Sequence, residues 1–384
     1  MSTIDGRVAD GYEAVAEQFA RNFTERGDLG AAFAAYRDGQ LVVDLWGGVA
    51  DPDTGAPWTR DTLALVFSGT KGLSAAAVLW LVERGSLDLD APVARYWPAF
   101  AANGKGDITV SDVMTHRSRL SGIPGPHRIE DLYDHDAMAA RLAAAAPAAG
   151  ERAGFTYHAI TFGWLVDELV RRVDGRTLPG LFAAEFAAPL GLDTHIGLGD
   201  DEHHRVATMT ALPGALADVD VATEPDRLAA LNRNPLTATD AVPIWNSAAY
   251  RRAGSAAVGA YSTARSMARF YGCLSRGGEI DGVRVLREST VEAGRRERVR
   301  GVEPLWNSPL AYATGFDLNT ELERYGRCAD AFGHPGFGGS IHAAWPRRRV
   351  GLSFCVNQVR VEAGEPRSRA VIDALDAAST ASRA

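Results

Sequence analysis

Apolar residues recur at helical spacing near the N-terminus. Tyr12, Val15, Ala16, Phe19 and Phe23 fall on one face of residues 8–26, which predicts an amphipathic helix. The pattern then changes to two apolar runs, 31–36 and 41–47, separated by Asp38-Gly39, a dipeptide that closes tight hairpins. A short apolar run at 63–67 leads into a long helical pattern over 72–84, ended by Gly85. Residues 93–100 and 109–116 read as short helices joined by a Gly-rich loop at 103–106. Alanine-rich helical patterns fill 136–149, 161–173 and 178–188. Residues 196–245 carry many Asp, Pro and Thr and read as a long loop or cap region that supplies pocket walls.

Helical spacing returns at 263–275, followed by a second hairpin, 279–286, with Asp281-Gly282 at its turn. The last third alternates as antiparallel strands do, at 312–318, 340–345 and 350–357, before a closing helix at 367–378. Strands lie at both ends and helices in the middle. This predicts one antiparallel sheet built from both termini, with residues 1–90 and 246–384 forming the sheet domain. Residues 91–245 would then be an inserted helical or irregular domain bordering the active site.

Composition narrows the class without naming a substrate. With 384 residues, 46% apolar and 23% charged, the chain has room for a real core and the make-up of a globular protein. A formal charge of -8 argues against nucleic acid as a partner. Cys273, Cys328 and Cys355 are odd in number and widely spaced, which fits neither a disulfide framework nor a metal site and suits a reducing compartment. No signal peptide is expected in the first eleven residues, and no run is long enough to span a bilayer, so the expectation is a cytoplasmic protein with no membrane partner. Oligomeric state stays open.

The chemistry centres on Ser68-Gly69-Thr70-Lys71. A serine and a lysine three residues apart face the same way on a helix. At a helix start the serine N–H is unpaired and the dipole favours developing negative charge. A hydroxyl nucleophile needs both a proton acceptor and such donors. The plain alternative is an N-cap serine with an exposed lysine. Tyr157, just before the predicted 161–173 helix, is a second proton carrier or else a half-buried aromatic. Gly333-His334-Pro335-Gly336-Phe337-Gly338-Gly339-Ser340 leads into a strand. Its glycines let backbone approach a ligand, or simply form a turn into an edge strand.

The order of these pieces resembles the serine β-lactamase and penicillin-binding-protein superfamily, and more closely the family VIII carboxylesterases. Further stretches carry the resemblance. They are Val66-Phe67-Ser68-Gly69-Thr70-Lys71, Gly85-Ser86-Leu87-Asp88-Leu89-Asp90, Asp112-Val113-Met114-Thr115-His116, Pro189-Leu190-Gly191-Leu192, Tyr261-Ser262-Thr263-Ala264-Arg265 and Gly277-Gly278-Glu279-Ile280-Asp281-Gly282. Asn246-Ser247-Ala248-Ala249-Tyr250-Arg251-Arg252-Ala253 looks like the esterase branch. The likeness runs from about residue 10 to the final strand.

It implies an α+β, class C β-lactamase-like fold: a central antiparallel sheet flanked by helices, with an inserted mainly helical domain. It further implies a serine hydrolase that cleaves carboxylic esters of small molecules through an acyl-enzyme. Ser68 would be the nucleophile, and Lys71 and Tyr157 a coupled pair of proton carriers. The backbone N–H groups of Ser68 and Phe337 would form the oxyanion hole. His334, Gly336 and His158 are the substrate contacts it suggests. No cofactor and no metal are implied. Read as residues alone, His158, His116, His203 and His204 lack metal-ligand spacing and fit structural or surface places.

Two departures bear on substrate. His334-Pro335-Gly336 stands where the penicillin-recognising enzymes carry Lys-Thr-Gly, and Ala159 replaces the asparagine of Tyr-x-Asn. Both weaken the case for β-lactam or D,D-peptide cleavage and leave ester cleavage intact. An acyltransferase or amide hydrolase on the same scaffold, and a catalytically silent binding protein, are the alternatives. No G-x-S-x-G elbow is present.

Overall fold

The computed structural model describes residues 4–123, 125, 127–148, 154–212, 241–304, 307–360 and 365–381. A large antiparallel sheet joins the two ends of the chain. Its strands run in the order Ile4–Val8, Gln40–Asp51, Gly30–Arg37, Val350–Val356, Ile341–Trp345, Phe332–Pro335, Asp317–Leu318, Ser308–Tyr312 and Val299–Glu303. The seam lies between Gly30–Arg37 and Val350–Val356, paired from Val350 opposite Arg37 to Val356 opposite Ala31. Asp38 and Gly39 have φ of 51° and 87°, and Asp281 and Gly282 have 52° and 78°, so both predicted hairpins turn through two left-handed residues.

Period-2 alternation lets each central strand serve two cores. Phe33, Leu352 and Phe354 meet Val15 and Phe19 of helix Glu13–Thr24 and Val371, Ile372 and Leu375 of helix Pro366–Ala381. Ala32, Ala34 and Cys355 face the other way, into the core shared with helices Ala264–Ser275 and Thr70–Glu83. The small residues there set the spacing. A Cβ on Gly351 would lie 1.9 Å from the Gly272 nitrogen, so helix Ala264–Ser275 rests directly on the strand. Helix Thr70–Glu83 is apolar nearly all round and lies in the interior, as such a helix must.

The fold class is the one expected; several boundaries differ. Residues 4–8 pair with 43–47 as an edge strand, and the first helix begins only at Glu13, after Gly11 at φ 87°. The apolar 312–318 run is two strands, broken where Ala313 N–H bonds Phe316 O around Gly315. Residues 93–104 form short 3-10 turns rather than a helix, with Asn103 left-handed. The Gly-rich 333–340 stretch is not a lead-in to an edge strand. It is a hairpin inside the sheet, with His334 paired opposite His342. The 213–240 part of the expected loop, and Ala149 at the end of a predicted helix, lie outside the described residues. Among the described residues no helix is long and apolar enough to cross a membrane.

Candidate active site

Ser68 occupies a 3-10 turn, Phe67–Gly69, placed just ahead of helix Thr70–Glu83. The turn is held tightly. Thr70 Oγ1 donates to Phe67 O at 2.6 Å and accepts from Ala260 N–H at 2.9 Å. Phe67 takes φ 44°, a left-handed conformation that a bulky residue adopts only when its surroundings impose it. Its ring packs edge-on against Trp245 at 5.1 Å and Phe337 at 5.9 Å. That packing leaves Ser68 half-buried while both its neighbours are sealed. Gly72 is required one turn on, because a Cβ there would meet the Tyr271 hydroxyl at 2.0 Å.

Lys71 is fully buried. Its Nζ lies 3.2 Å from Ser68 Oγ and donates to Ala159 O at 2.8 Å and Ala257 O at 3.1 Å. Desolvation holds its pKa well below the ordinary lysine value. Tyr157 is buried beside it, with Nζ 4.8 Å from the centre of its ring. Burial raises the phenol's pKa; the hydrogen bond to the Ser68 side chain works the other way and is smaller. The Tyr157 ring lies parallel to Tyr312 at 6.2 Å and meets His116 at 4.8 Å. Its backbone N–H donates to Glu303 Oε1 at 2.9 Å, and its neighbours' N–H groups bond His116 O at 3.0 Å and His116 Nδ1 at 3.2 Å.

Ser68, Tyr157, Gly336 and Phe337 line one cavity of about 620 Å³. Its remaining walls include Tyr250, Val258, Leu310, Tyr312 and Arg324, with Arg360 and Arg369 toward the C-terminal helix. Among the described residues none from 196–212 or 241–245 lines it, so those parts of the expected loop do not supply its walls.

The other proposed substrate contacts divide. Gly336 borders the cavity directly. His334 also borders it but is 1% exposed, and its Nδ1–H donates to Pro335 O at 2.9 Å. His158 is elsewhere. It is fully buried, within 2.6 Å of both Ser118 Oγ and Thr156 O, and accepts Leu120 N–H at 3.3 Å. That satisfied position, with burial pressing its pKa down to about 4, corrects its reading as a substrate contact. Sequence reasoning also missed the carbonyls of Ala159 and Ala257, the Glu303 carboxylate and the Trp245 wedge. Two of these are backbone atoms with no residue-type signal, and the other two carry no local pattern.

A serine at the mouth of a cavity, a desolvated lysine one turn on and helices on both faces of an antiparallel sheet define a β-lactamase-like serine hydrolase. The chain belongs to the Beta-lactamase family, whose model matches residues 19–376. The esterase/beta-lactamase LipL of Mycobacterium tuberculosis is 40% identical over 352 residues, covering 90% of this chain and 80% of that protein. The esterase EstB of Burkholderia gladioli is 32% identical over 203 residues, 48% of this chain and 50% of that protein. A family VIII carboxylesterase structure superposes with a TM-score of 0.89 at 35% identity, over 98% of this chain and all of that one. A penicillin-binding-protein homologue from Caulobacter crescentus gives 0.87 at 36% identity, with the same coverage. The protein is thus an enzyme, a serine hydrolase of the carboxylesterase and β-lactamase kind.

Proposed function

We propose that this enzyme cleaves carboxylic esters of small molecules through an acyl-enzyme on Ser68. The observation that carries the reading is the set of partners around Lys71 Nζ. A neutral amine has two hydrogens and one lone pair. With the hydrogens on Ala159 O and Ala257 O, the lone pair faces Ser68 Oγ at 3.2 Å. Neutralising an ordinary lysine at pH 7 costs about 5 kcal/mol, and desolvation reduces that cost. Ser68 Oγ then attacks the ester carbonyl while its proton passes to the Lys71–Tyr157 pair, whose titration belongs to both groups. The N–H groups of Ser68 and Phe337 hold the oxyanion, a donor of this kind being worth about 3–4 kcal/mol. As the carbonyl–alkoxide bond breaks, Tyr157 returns the proton to the leaving alcohol. Water then attacks the acyl carbon and gives up a proton along the same path, freeing the acid and Ser68.

The division into a sheet domain (1–90 and 246–384) and an inserted domain (91–245) is part of this reading, with Tyr157 coming from the insert. So is a cytoplasmic location, supported by three cysteines that are all free and buried. A panel of p-nitrophenyl esters of varied chain length, with mass spectrometry of the fluorophosphonate-treated protein, tests the proposal. Label on Ser68 and turnover of at least one ester are expected. A protein that neither turns over an ester nor takes the label is a silent member of the fold.

A second reading is β-lactam hydrolysis, favoured by the likeness to the mycobacterial esterase/beta-lactamase. His334 and Ala159 oppose it. We expect benzylpenicillin turnover far below that of short-chain esters; comparable rates would make the two substitutions irrelevant. Acyl transfer is distinguished by adding alcohols or amines and analysing the products.

A further inference from the structure

Arg367 is fully buried at the start of the C-terminal helix. All five guanidinium N–H groups are engaged. Nε donates to Glu365 Oε1 at 2.7 Å. Nη1 donates to Asp28 Oδ1 at 3.0 Å and Gln358 O at 3.1 Å. Nη2 donates to Glu365 Oε2 at 2.9 Å and Gly338 O at 2.9 Å. The residue's own carbonyl accepts Asn22 Nδ2–H at 3.1 Å. Arg367 therefore ties the C-terminal helix to the hairpin turn that carries Phe337 and to Asp28 through its side chain, and to the N-terminal helix through its backbone carbonyl.

The turn is moulded to it. Gly339 takes φ 119°, and a Cβ there would lie 2.6 Å from both Arg367 Nη2 and Glu365 Oε2. The hairpin closes by Gly336 N–H to Ser340 O at 2.8 Å. The Phe337 ring meets Trp245 at 6.0 Å and Phe67 at 5.9 Å. The turn is thus held both by aromatic contacts and by a charged hydrogen bond. A fully satisfied buried guanidinium is a stiff support, because moving any partner leaves a buried charge under-bonded.

We propose that Arg367 is a positioning residue for catalysis, setting the Phe337 N–H against the reacting carbonyl by anchoring Gly338 O. The inference rests on the oxyanion role of that N–H in the proposed function. A hydrogen bond that acts on the tetrahedral intermediate more than on bound ester appears in kcat, not KM.

The test compares purified, folded Arg367→Lys, Gly339→Ala and Asp28→Asn enzymes on p-nitrophenyl acetate, with phenylboronic acid as a tetrahedral mimic. Asp28 holds the face of Arg367 away from Gly338, so Asp28→Asn lowers thermal stability and serves as the structural control. For Arg367→Lys and Gly339→Ala we expect kcat to fall about tenfold or more, boronate affinity to fall with it, and KM to stay within about twofold. Asp28→Asn should keep kcat within about twofold. Unchanged kcat in either of the first two variants overturns the proposal, as does an equal kcat loss in Asp28→Asn. Should Arg367→Lys fail to fold, Gly339→Ala decides alone, since its Cβ forces the turn and Arg367 Nη2 apart while the Arg367–Asp28 pair is left untouched. A Ser68→Ala enzyme run beside them separates failure of this inference from failure of the acyl-enzyme reading.

Discussion

Lys71 and Lys105 are the only lysines among the chain's 40 basic residues, and both are fully buried. The hydrogen-bond partners of the two amines differ in kind at one place. Lys105 Nζ donates to Ala102 O at 2.7 Å, to Ala143 O at 2.9 Å and to Ala145 O. Three carbonyls match the three protons of an ammonium. Two of them, Ala143 O and Ala145 O, lie at the C-terminal end of helix His135–Ala144, where a cation is favoured. Lys71 has two carbonyls, and its third partner is the Ser68 hydroxyl. Burial lowers the pKa of both, and that of Lys71 much further. Burial of a lysine is therefore no mark of catalysis. On the proposed mechanism, the third partner decides whether the amine is a fixed structural cation or a group that can take a proton from a nucleophile.

The largest effect expected is from deleting that third partner. Ser68→Ala should remove ester hydrolysis and leave the melting temperature within a few degrees. More than a few per cent of wild-type kcat in clean protein would mean that Lys71 is as structural as Lys105. Next, Lys71→Ala, Tyr157→Phe and the double variant should lose similar amounts of kcat/KM, far short of additive, because the proposed mechanism runs one proton path through both groups. Additive losses would assign them separate tasks. Near-normal activity of Tyr157→Phe would return that ring to the aromatic cluster around His116 and Tyr312.

Lys105→Met should do the converse of Lys71→Ala. It leaves buried carbonyls under-bonded and should cost about 1–3 kcal/mol in urea unfolding, with kcat/KM per folded molecule unchanged. A loss of activity as deep as that of Lys71→Ala would collapse the distinction between the two lysines. The smallest effect concerns pH. A lysine whose folded pKa lies below 10.5 binds its proton more readily in the unfolded chain over the interval between the two values, so stability rises with pH there. Because Lys71 is displaced further, Lys71→Met should flatten the stability slope between about pH 7 and 10 more than Lys105→Met does. Equal flattening would show that the two sites are desolvated alike.

Much of the fold was legible because its signals are local. Asp38-Gly39 and Asp281-Gly282 turn as their dipeptides require, and the helix over 263–275 begins where Thr263 caps it through Ser266 N–H. The misses have physical causes. The 312–318 alternation reads as one strand because the break at Gly315 preserves the apolar pattern on either side. The strand at Phe332–Pro335 hides in a Gly- and Pro-containing stretch, since pairing on both sides outweighs weak propensity. His158 carries the same side chain whether it faces substrate or, as here, Ser118 and a carbonyl.

The sequence by itself determined the spacing of Ser68 and Lys71, the helix that follows them, the place of Tyr157 before its own helix and the glycines of the 333–340 hairpin. These follow from covalent neighbours and from periodicities of two and 3.6 residues. The tertiary structure alone decided what those groups experience. Lys71 finds its carbonyls 88 and 186 residues away, Tyr157 rests its N–H on a carboxylate 146 residues on, and Gly338 is held by an arginine 29 residues further along. A backbone carbonyl is the same atom in every residue, and desolvation depends on which distant segments pack together. Neither leaves a mark in the order of the amino acids around the site.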